Sequence, residues 1–390
     1  MGRDFDIAVF GATGFTGKLA AEYLAGRAGS DPPRRLALAG RDLGKLAAAR
    51  AESGLPKDTP LLRADSGDPS SLADLARRSR VILTTVGPYQ LFGSTLVATC
   101  AAAGTHYVDL CGETAWMREM IDAHEAQAKA SGARIVFSCG FDSIPFDFGV
   151  AYLQDEARRR FGAPCPRVKG RVRKMKGTFS GGTAASFRAT LAAATKDPAI
   201  RDLLRDPFAL TPGFAGPKQP SGAKPEYDEA LGSWAAPFIM AAINTRNVHR
   251  SNYLLGHPYG PDFVYDEMIM TGPGERGEKA ARAIAAGLNE MAGESGPRAG
   301  EGPSREERET GFYDLLFVGE GRNGERLAAC VKGDRDPGYG STCKMIAECA
   351  ILLTETDGQG GIFTPAAAFG VDFTQRLASR AGLSFAIEQE

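Results

Sequence analysis

The sequence predicts an α/β protein with two domains, a parallel sheet flanked by helices followed by an α+β domain. Short apolar runs, the first of which is Phe5–Phe10, alternate with helix-length segments through the first third of the chain. This alternation is typical of a parallel sheet with right-handed crossovers. After Gly140 the alternation stops. We therefore expect a Rossmann-type domain over residues 1–140 and a second domain over residues 141–340, since domains usually span about 100–200 residues.

The first domain is expected to contain short apolar strands separated by helices. The strands are Phe5–Phe10, Leu36–Ala39, Leu61–Ala64, Val81–Thr85, Tyr107–Leu110 and Ile135–Phe137. The first helix is Thr16–Leu24, and the others begin near Leu43, Pro69, Phe92 and Ala115. Strands and helices in this order predict successive βαβ units.

The second domain has a different order of elements, with longer strands and a hairpin. Its strands are expected at Val168–Met175, Phe263–Met270, Phe312–Val318 and Glu325–Val331, and its helices near Ala184 and at Lys279–Met291. A further helix, Ser341–Glu355, follows the domain. Asn323-Gly324, between the last two strands, is a strong hairpin signal. Residues 206–232 are rich in Pro, Gly and Lys and predict a surface loop. We expect residues 341–390 to pack back on the first domain.

Composition and charge exclude several classes of protein. The 46 basic and 47 acidic side chains give a net charge of -1, which argues against a nucleic-acid partner because such proteins carry a basic face. The seven cysteines form no Cys-x-x-Cys pair, and no histidine stands at zinc spacing from a cysteine. This pattern favours a cytoplasmic protein with reduced thiols and no metal. The chain has no unbroken apolar stretch of about 20 residues, so no transmembrane helix is expected.

The first motif follows the first strand and opens the first helix. It reads Gly11-Ala12-Thr13-Gly14-Phe15-Thr16-Gly17. The first glycine permits a tight turn, the second lets the backbone approach a pyrophosphate, and the third lets the helix pack close to the strand. Amides at the helix N-terminus then face the phosphates. In this strand–helix context the motif predicts a dinucleotide site.

The residues after the second and third strands indicate which dinucleotide is bound. NAD enzymes place an acid at the end of the second strand, whereas an arginine suits the 2′-phosphate of NADP. Here Arg41 ends that strand and Lys45 lies one turn into the next helix, so NADP(H) is the expected cofactor. Asp42 would weaken this preference if it turned inward. Asp65 and Ser66 either flank the adenine or cap the following helix.

Further motifs resemble those of a known family. They are Leu38-Ala-Gly-Arg41, Thr84-Thr-Val-Gly-Pro-Tyr89, Cys139-Gly-Phe-Asp-Ser-Ile-Pro145, Ser180-Gly-Gly-Thr183, Asn244-Thr-Arg246 and Thr364-Pro365-Ala-Ala. With the glycine loop they resemble saccharopine-dehydrogenase-like oxidoreductases, most closely the bacterial trans-acting enoyl reductases. The resemblance implies hydride delivery from NADPH to an unsaturated acyl chain made by a polyketide synthase. The long apolar segment of those relatives has no counterpart in the charged stretch Lys279–Arg308.

Two residues are candidates for the chemistry. Tyr89 leaves the fourth strand at the edge of the sheet where ligands bind, and it either donates a proton or packs under its loop. Asp142 follows the sixth strand at the domain junction, and it either contacts the ligands or caps the next helix. Cofactor contacts are expected from the same two segments, through Val86, Gly87, Pro88, Cys139 and Phe141. Cys139 is also typical of a small buried residue.

The substrate is expected to lie between the domains. Weaker candidates for contact with it are Ser180, Gly181, Gly182, Thr183, Asn244, Arg246 and Tyr339. The first four form either an amide nest for an anion or a simple turn. The apolar run Trp234–Met240 either lines an acyl pocket or, as we favour, belongs to the core. Asp109 and Glu113 either bind a cationic substrate or, as we favour, cap the following helix.

The sequence as a whole predicts an NADPH-dependent oxidoreductase that reduces the C=C bond of an apolar, lipid-like or polyketide-derived substrate. The first alternative is a saccharopine-type amino-acid dehydrogenase acting on a C=N bond, which would need clustered Arg and Lys for the substrate carboxylates. The second alternative is a non-catalytic NADP-binding module. Two domains joined by a hinge favour an enzyme, and a homo-oligomer is compatible with the sequence.

Overall fold

The first domain of the computed structural model is built on short strands and the helices between them. The structure describes residues 2–27, 33–177, 181–290 and 302–389, with side chains up to residue 287 in the third range. Strands β1 to β6 are Phe5–Phe10, Leu36–Gly40, Leu61–Arg63, Ser79–Thr84, His106–Val108 and Arg134–Val136. Helices α1 to α6 are Phe15–Gly26, Leu43–Glu52, Pro69–Arg78, Tyr89–Phe92, Ser94–Ala103 and Thr114–Ser131.

The rest of the chain forms a second sheet and then returns to the first. Strands β7 to β14 are Arg167–Lys176, Glu226–Asp228, Ser233–Pro237, Val264–Gly272, Phe312–Glu320, Arg326–Gly333, Gly361–Phe363 and Leu383–Glu388. Helices α7 to α15 are Ile144–Phe161, Gly181–Lys196, Pro198–Arg205, Ala241–Leu254, Gly274–Glu290, Arg305–Thr310, Thr342–Glu355, Pro365–Phe369 and Phe373–Arg376. Further helical turns span Pro337–Ser341 and Leu377–Ala381.

The two sheets differ in topology, and the predicted fold class is confirmed. The first sheet has the order β13-β6-β5-β4-β1-β2-β3, with every pair parallel. The second has the order β14-β12-β11-β7-β10-β9-β8, and only β7 and β10 run parallel. The strand order of the first sheet reverses between β1 and β4. Ligands usually bind outside the carboxyl ends of the strands at such a point.

The C-terminal segment contributes a strand to each of the two sheets. Helix α13 packs against α1 and beneath the first sheet, and β13 pairs with β6 at its edge. Strand β14 instead pairs antiparallel with β12 of the second sheet. This differs from the expectation that all of residues 341–390 pack on the first domain. The alternating side chains of Leu383–Glu388, partly exposed on one face, suit an antiparallel edge strand.

The junction between the domains is tightly packed. A single apolar core contains residues from α7, from the second sheet and from one face of the first sheet. A Cβ on Gly149 of α7 would lie 2.3 Å from the Phe317 ring on β11, so the helix rests directly on the second sheet. The predicted hairpin β11–β12 forms around Asn323-Gly324, with residues 321–325 in its loop. The junction therefore positions the residues after β6 against the second sheet.

Candidate functional site

The phosphate loop has the geometry that its glycines predict. Gly11 has a φ of +89°, and a Cβ there would lie 2.8 Å from the Val86 side chain. A Cβ on Gly17 would lie 2.2 Å from the Gly11 carbonyl oxygen, so the helix start touches the turn. Gly14 has more room, because only the Gly11 oxygen lies near its Cβ position, at 3.3 Å. The loop is thus tightly packed at Gly11 and Gly17 and open to a ligand at Gly14.

Two cationic side chains stand beyond the end of β2. Arg41 and Lys45 are exposed, and neither forms an ion pair within the part of the chain that the structure describes. The Asp42 carboxylate accepts a hydrogen bond from the Lys45 amide, with 3.0 Å between the atoms, and so caps α2. Because this carboxylate is engaged in the cap, it does not argue against a 2′-phosphate beside Arg41.

Asp65 and Ser66 lie in a turn beyond β3. The Asp65 carboxylate accepts a hydrogen bond from the Gly67 amide at 3.0 Å. The cap of α3 is Asp68, whose carboxylate accepts the Ser70 amide hydrogen bond at 3.0 Å. The helix-cap interpretation of Asp65 is therefore wrong, and its place at the adenine edge stays a prediction.

The buried carboxylate of Glu113 forms hydrogen bonds to groups of both domains. Its carboxylate accepts hydrogen bonds from the amides of Tyr89 and Gln90, both at 2.8 Å, at the start of α4. It also accepts one from the Ser186 hydroxyl of α8 at 2.6 Å. The residue is only 2% exposed. Glu113 stands at the N-cap position of α6, as the sequence indicated, but its side chain makes no capping hydrogen bond there. The carboxylate instead caps α4 and joins the loop after β4 to α8.

Tyr89 packs beneath that loop. Its hydroxyl accepts a hydrogen bond from the Leu110 amide at 3.1 Å and donates one to the Thr84 carbonyl oxygen at 3.4 Å. The ring packs on Trp116, with 5.7 Å between ring centroids, and burial raises the pKa of Tyr89 well above its ordinary value. Tyr89 therefore packs under its loop and is not placed to donate a proton, because both hydrogen bonds of its hydroxyl group go to backbone groups in the interior.

Tyr89→Phe is expected to lower the free energy of unfolding by about 1–3 kcal/mol, because it leaves the buried Leu110 amide without its acceptor. Turnover should stay within about threefold of the wild type, an effect well below the loss of a proton donor. Urea denaturation and steady-state kinetics measure the two quantities. A hundredfold loss of turnover with unchanged stability, on the scale of about 10²–10⁴ for a proton donor, would restore the catalytic role.

The ends of β5 and β6 are joined by a buried carboxylate. Asp109 accepts hydrogen bonds from the amides of Cys111 and Ser138, at 3.0 and 2.9 Å, and from the Tyr107 hydroxyl at 2.9 Å. Burial raises the pKa of Asp109 to about 7. Asp109 neither caps a helix nor offers a free oxygen for a cationic substrate, so both interpretations of this residue are wrong. Its carboxylate instead joins the ends of the two strands.

The side chains of Cys139 and Phe141 belong to the core. Cys139 is fully buried, and burial raises the pKa of its thiol well above the usual range. The Phe141 ring packs edge-on against Phe146 and Tyr313, with centroids 5.4 and 4.9 Å apart. These two side chains are therefore not available for the expected cofactor contacts, because both point into packed apolar surroundings.

Asp142 is a partly buried member of a polar cluster at the junction. Its Oδ1 atom is buried and has no hydrogen-bond partner among the residues that the structure describes, and burial raises the pKa of the carboxyl group to about 7. The N-cap position of α7 is Ser143, so the capping interpretation of Asp142 is wrong. Buried polar atoms are almost always hydrogen-bonded, and an exception with a perturbed pKa beside a crevice is typical of a functional site.

Glu267 on β10 completes this cluster, and the sequence analysis missed it. The side chain is 1% exposed, and its carboxylate accepts hydrogen bonds from the Asn244 amide and the Tyr265 hydroxyl, both at 2.9 Å. Burial raises the pKa of Glu267 well above its usual range, and the nearby charge of Asp142 raises it further. Two adjacent acids, Asp266 and Glu267, within a largely apolar strand are the signal that could have found it, because acids are rarely buried unless they are paired.

Tyr339 lies over the phosphate loop from the second domain. Its ring packs edge-on against Phe15, with 4.8 Å between centroids, and its hydroxyl accepts a hydrogen bond from the Gly181 amide at 3.3 Å. Gly181, Gly182 and Thr183 form the first turn of α8, and Ser180 lies outside the described residues, so an amide nest for an anion stays a prediction. Tyr339 therefore connects the phosphate loop to the start of α8.

Asn244 belongs to the buried cluster, but Arg246 does not. The Arg246 guanidinium donates hydrogen bonds to the backbone carbonyl oxygens of Leu204, Asp206 and Ala242. The bonds to Leu204 and Asp206 join α10 to the C-terminal end of α9. The expectation that Arg246 contacts the substrate is therefore corrected, since its donors are turned to backbone carbonyl oxygens.

The apolar segments of the second domain are packed inside it. Most of Trp234–Met240 is buried in and after β9, so the core interpretation of this run is the right one. Helix α11 covers the described beginning of Lys279–Arg308, and residues 291–301 lie outside the described ranges. Over the described residues, no helix is both long enough and apolar enough to cross a membrane.

The chain is similar to known oxidoreductases over its whole length. Residues 7–136 match the family model of the saccharopine dehydrogenase NADP binding domain. A Mycobacterium tuberculosis protein provisionally named a trans-acting enoyl reductase is 41% identical, covering 98% of this chain and 97% of its own. The trans-acting enoyl reductase of Mycobacterium ulcerans is 36% identical over 96% of each chain.

A solved structure shares the fold at much lower identity. The saccharopine dehydrogenase (L-Glu forming) of Saccharomyces cerevisiae matches with a TM-score of 0.57 at 11% identity, covering 99% of this chain and 100% of that one. This likeness concerns the fold alone. The relatives and the matched domain together show that the chain belongs to the family of the trans-acting enoyl reductases and is an oxidoreductase that uses NADP(H).

Proposed function

We propose that this enzyme reduces the C=C bond of an enoyl group, with Asp142 as the proton donor. The observation that carries the proposal is the buried Asp142 Oδ1, which has no hydrogen-bond partner within the described ranges and follows β6 at the ligand edge of the first sheet. Bound NADPH supplies a hydride, and reduction of a C=C bond then needs one proton at the adjacent carbon. A carboxyl group whose pKa is raised to about 7 holds that proton at neutral pH and can release it.

The cofactor would be held by groups that the crevice leaves available. The open backbone at Gly14 fits the approach of a pyrophosphate, and the N-terminus of α1 points amides toward it. The exposed Arg41 and Lys45 fit the 2′-phosphate. Gly87 and Pro88 would border the nicotinamide, since they leave β4 at the same edge of the sheet.

Arg41→Ala is expected to weaken NADPH binding by about tenfold or more and to leave NADH binding nearly unchanged, since only NADPH carries the 2′-phosphate. Fluorescence titration of both cofactors measures the change. Arg77→Ala, at the exposed C-terminal end of α3 and away from the carboxyl ends of the strands, is the matched control and should alter neither affinity. Equal losses for the two cofactors upon Arg41→Ala would argue against this phosphate site.

The substrate class is best tested with defined acceptors. We expect NADPH oxidation with enoyl thioesters, and the rate should rise with acyl chain length if the substrate is apolar. Saturated thioesters are the blank, and imines formed from an amino acid and an aldehyde test the C=N alternative. Deuterium from labelled NADPH should appear at one carbon of the former double bond and deuterium from solvent at its neighbour. Reduction of the imines alone would overturn the proposal.

The C=N alternative has less support from the junction. An amino-acid substrate needs cations for its carboxylates, but the buried guanidinium groups nearby are already engaged. Arg246 donates to backbone carbonyl oxygens, and Arg250 donates to those of Leu210 and Ile362, both at 2.6 Å. An apolar acyl substrate would need no such cations. A cytoplasmic location and a homo-oligomer stay predictions.

A further inference from the structure

We propose that Glu113 is a positioning residue for hydride transfer, which fixes helix α8 of the second domain against the loop after β4. This loop contains Gly87 and Pro88, which border the nicotinamide in the proposed function. The inference rests on that placement of the nicotinamide, but it does not depend on whether the acceptor is a C=C or a C=N bond. Glu113 acts on the reaction only through the two segments that it joins.

Three donors converge on the buried Glu113 carboxylate. Its Oε1 atom accepts hydrogen bonds from the Tyr89 amide at 2.8 Å and from the Ser186 hydroxyl at 2.6 Å, and its Oε2 atom accepts one from the Gln90 amide at 2.8 Å. Over the described residues, Glu113 forms no salt bridge, so its oxygens are committed to these donors. Hydrogen bonds to a carboxylate are about twice as strong as those between neutral groups, which makes this a firm connection.

The two amide bonds orient the loop after β4. Tyr89 and Gln90 are the first two residues of α4, which begins directly after Pro88. Both N–H groups point at the carboxylate, so Glu113 sets the orientation of the backbone that leaves Gly87 and Pro88. Glu113 itself follows β5, which pairs with β4 in the first sheet. The loop is therefore tied to the carboxyl ends of two neighbouring strands.

The face of α8 that contains Ser186 meets the first domain at a second point. Thr190 lies one turn after Ser186 on the same face of the helix, and its hydroxyl accepts a hydrogen bond from the Gln90 side chain at 3.4 Å. Among the residues of α8, all of which the structure describes, only Gly181 is buried. Little apolar burial holds this helix in place, so its position depends strongly on the hydrogen bond from Ser186 to Glu113.

Hydride transfer is sensitive to the distance between the two segments that Glu113 joins. The loop after β4 borders the cofactor in the proposed function, and the start of α8 contains the predicted substrate contacts Gly181, Gly182 and Thr183. The hydride forms a C–H bond with the acceptor as NADPH is oxidised to NADP⁺, so both reactants must be in contact. A displacement of about 1 Å in such a site can lower the rate by about 100-fold. One carboxylate bonded to both segments restricts this displacement.

Hydrogen exchange of the cofactor-free protein tests the connection without any substrate. Ser186→Ala removes the bond to α8 and leaves both amide bonds of Glu113 at α4 in place. Exchange of the α8 amides should become faster by about tenfold or more, whereas peptides that contain α4 should exchange nearly as in the wild type. Thr195→Ala is the matched control, because the Thr195 hydroxyl bonds to the Leu191 carbonyl oxygen within the same helix. It should leave the exchange of α8 close to that of the wild type.

Single-turnover kinetics test whether the connection positions the reacting groups. Ser186→Ala should slow hydride transfer by about 10–100-fold and keep the NADPH Kd within about twofold, and Thr195→Ala should change neither. An isotope effect with NADPH deuterated at the transferred position identifies the hydride step. Ser186→Thr keeps the hydroxyl and should retain most of the rate. The acceptor is whichever of the enoyl thioesters and imines the enzyme reduces, so reduction of imines alone would contradict the proposed function and leave this test intact.

A double-mutant cycle assigns the effect to Glu113. In a Glu113→Ala background the Ser186 hydroxyl has lost its acceptor, so adding Ser186→Ala should slow hydride transfer little further. If Glu113→Ala fails to fold, the Ser186 variants decide the question alone. Hydride transfer in Ser186→Ala as fast as in Thr195→Ala would overturn the positioning role, even if α8 exchanges faster. A loss of rate in Ser186→Thr as large as that in Ser186→Ala would also overturn it, because packing and not the hydrogen bond would then be responsible.

Discussion

Asp142→Asn is expected to lower kcat for enoyl reduction by about 10²–10⁴-fold, the usual cost of losing a positioned proton donor. Asparagine keeps the size of the side chain but holds no transferable proton. The NADPH Kd should stay within about twofold, a change of less than about 0.5 kcal/mol, because the substitution leaves the phosphate loop intact. Stopped-flow single turnovers separate the chemical step from cofactor binding.

The control for this experiment is Asp147→Asn, a buried acid of α7 outside the cluster. Its carboxylate accepts hydrogen bonds from Ser251 and Ala366 and is therefore fully engaged. Some loss of stability is expected upon Asp147→Asn, but kcat per folded molecule should remain close to the wild type. If Asp142→Asn keeps kcat within about threefold of the wild type, the proton must come from elsewhere.

The phosphate loop could be predicted from the sequence because its signals are local. A strand, three spaced glycines and a helix start lie within a short segment, and each glycine has one steric reason that holds in any context. The cap at Asp42 and the hairpin at Asn323-Gly324 are local in the same way. These features depend on the backbone of adjacent residues, so tertiary contacts do not change them.

The partners of buried polar side chains could not be predicted, because they come from distant segments. Glu267 meets Asn244 across two elements of the second domain that only the fold brings together. Arg246 lies in a motif that predicts a ligand contact, yet its guanidinium group donates hydrogen bonds to backbone carbonyl oxygens. The expected surface loop 206–232 begins with residues buried under α10, including Phe208. Sequence patterns indicate burial better than they indicate partners.

Substitutions of the glycines in the phosphate loop should separate effects on packing from effects on ligand binding. Gly17→Ala would place a Cβ 2.2 Å from the Gly11 carbonyl oxygen and 2.9 Å from the Ala12 Cα. These are backbone atoms, so α1 must shift away from the turn. We expect the free energy of unfolding to fall by about 1–3 kcal/mol, the usual cost of overpacking, and NADPH binding to weaken along with it.

Gly14→Ala should instead weaken NADPH binding and leave the stability of the protein nearly unchanged. Its φ is -76°, and its Cβ would meet only the Gly11 oxygen at 3.3 Å, so the cofactor-free protein should keep nearly its full stability. NADPH affinity should fall by about tenfold or more, because the new methyl group occupies the space through which the pyrophosphate approaches. Gly26→Ala, at the end of α1 with no atom within 4 Å of its Cβ position, is the neutral control. Thermal unfolding and NADPH titration of the three variants measure both quantities. If Gly14→Ala binds NADPH as tightly as Gly26→Ala does, the pyrophosphate does not cross this loop at Gly14.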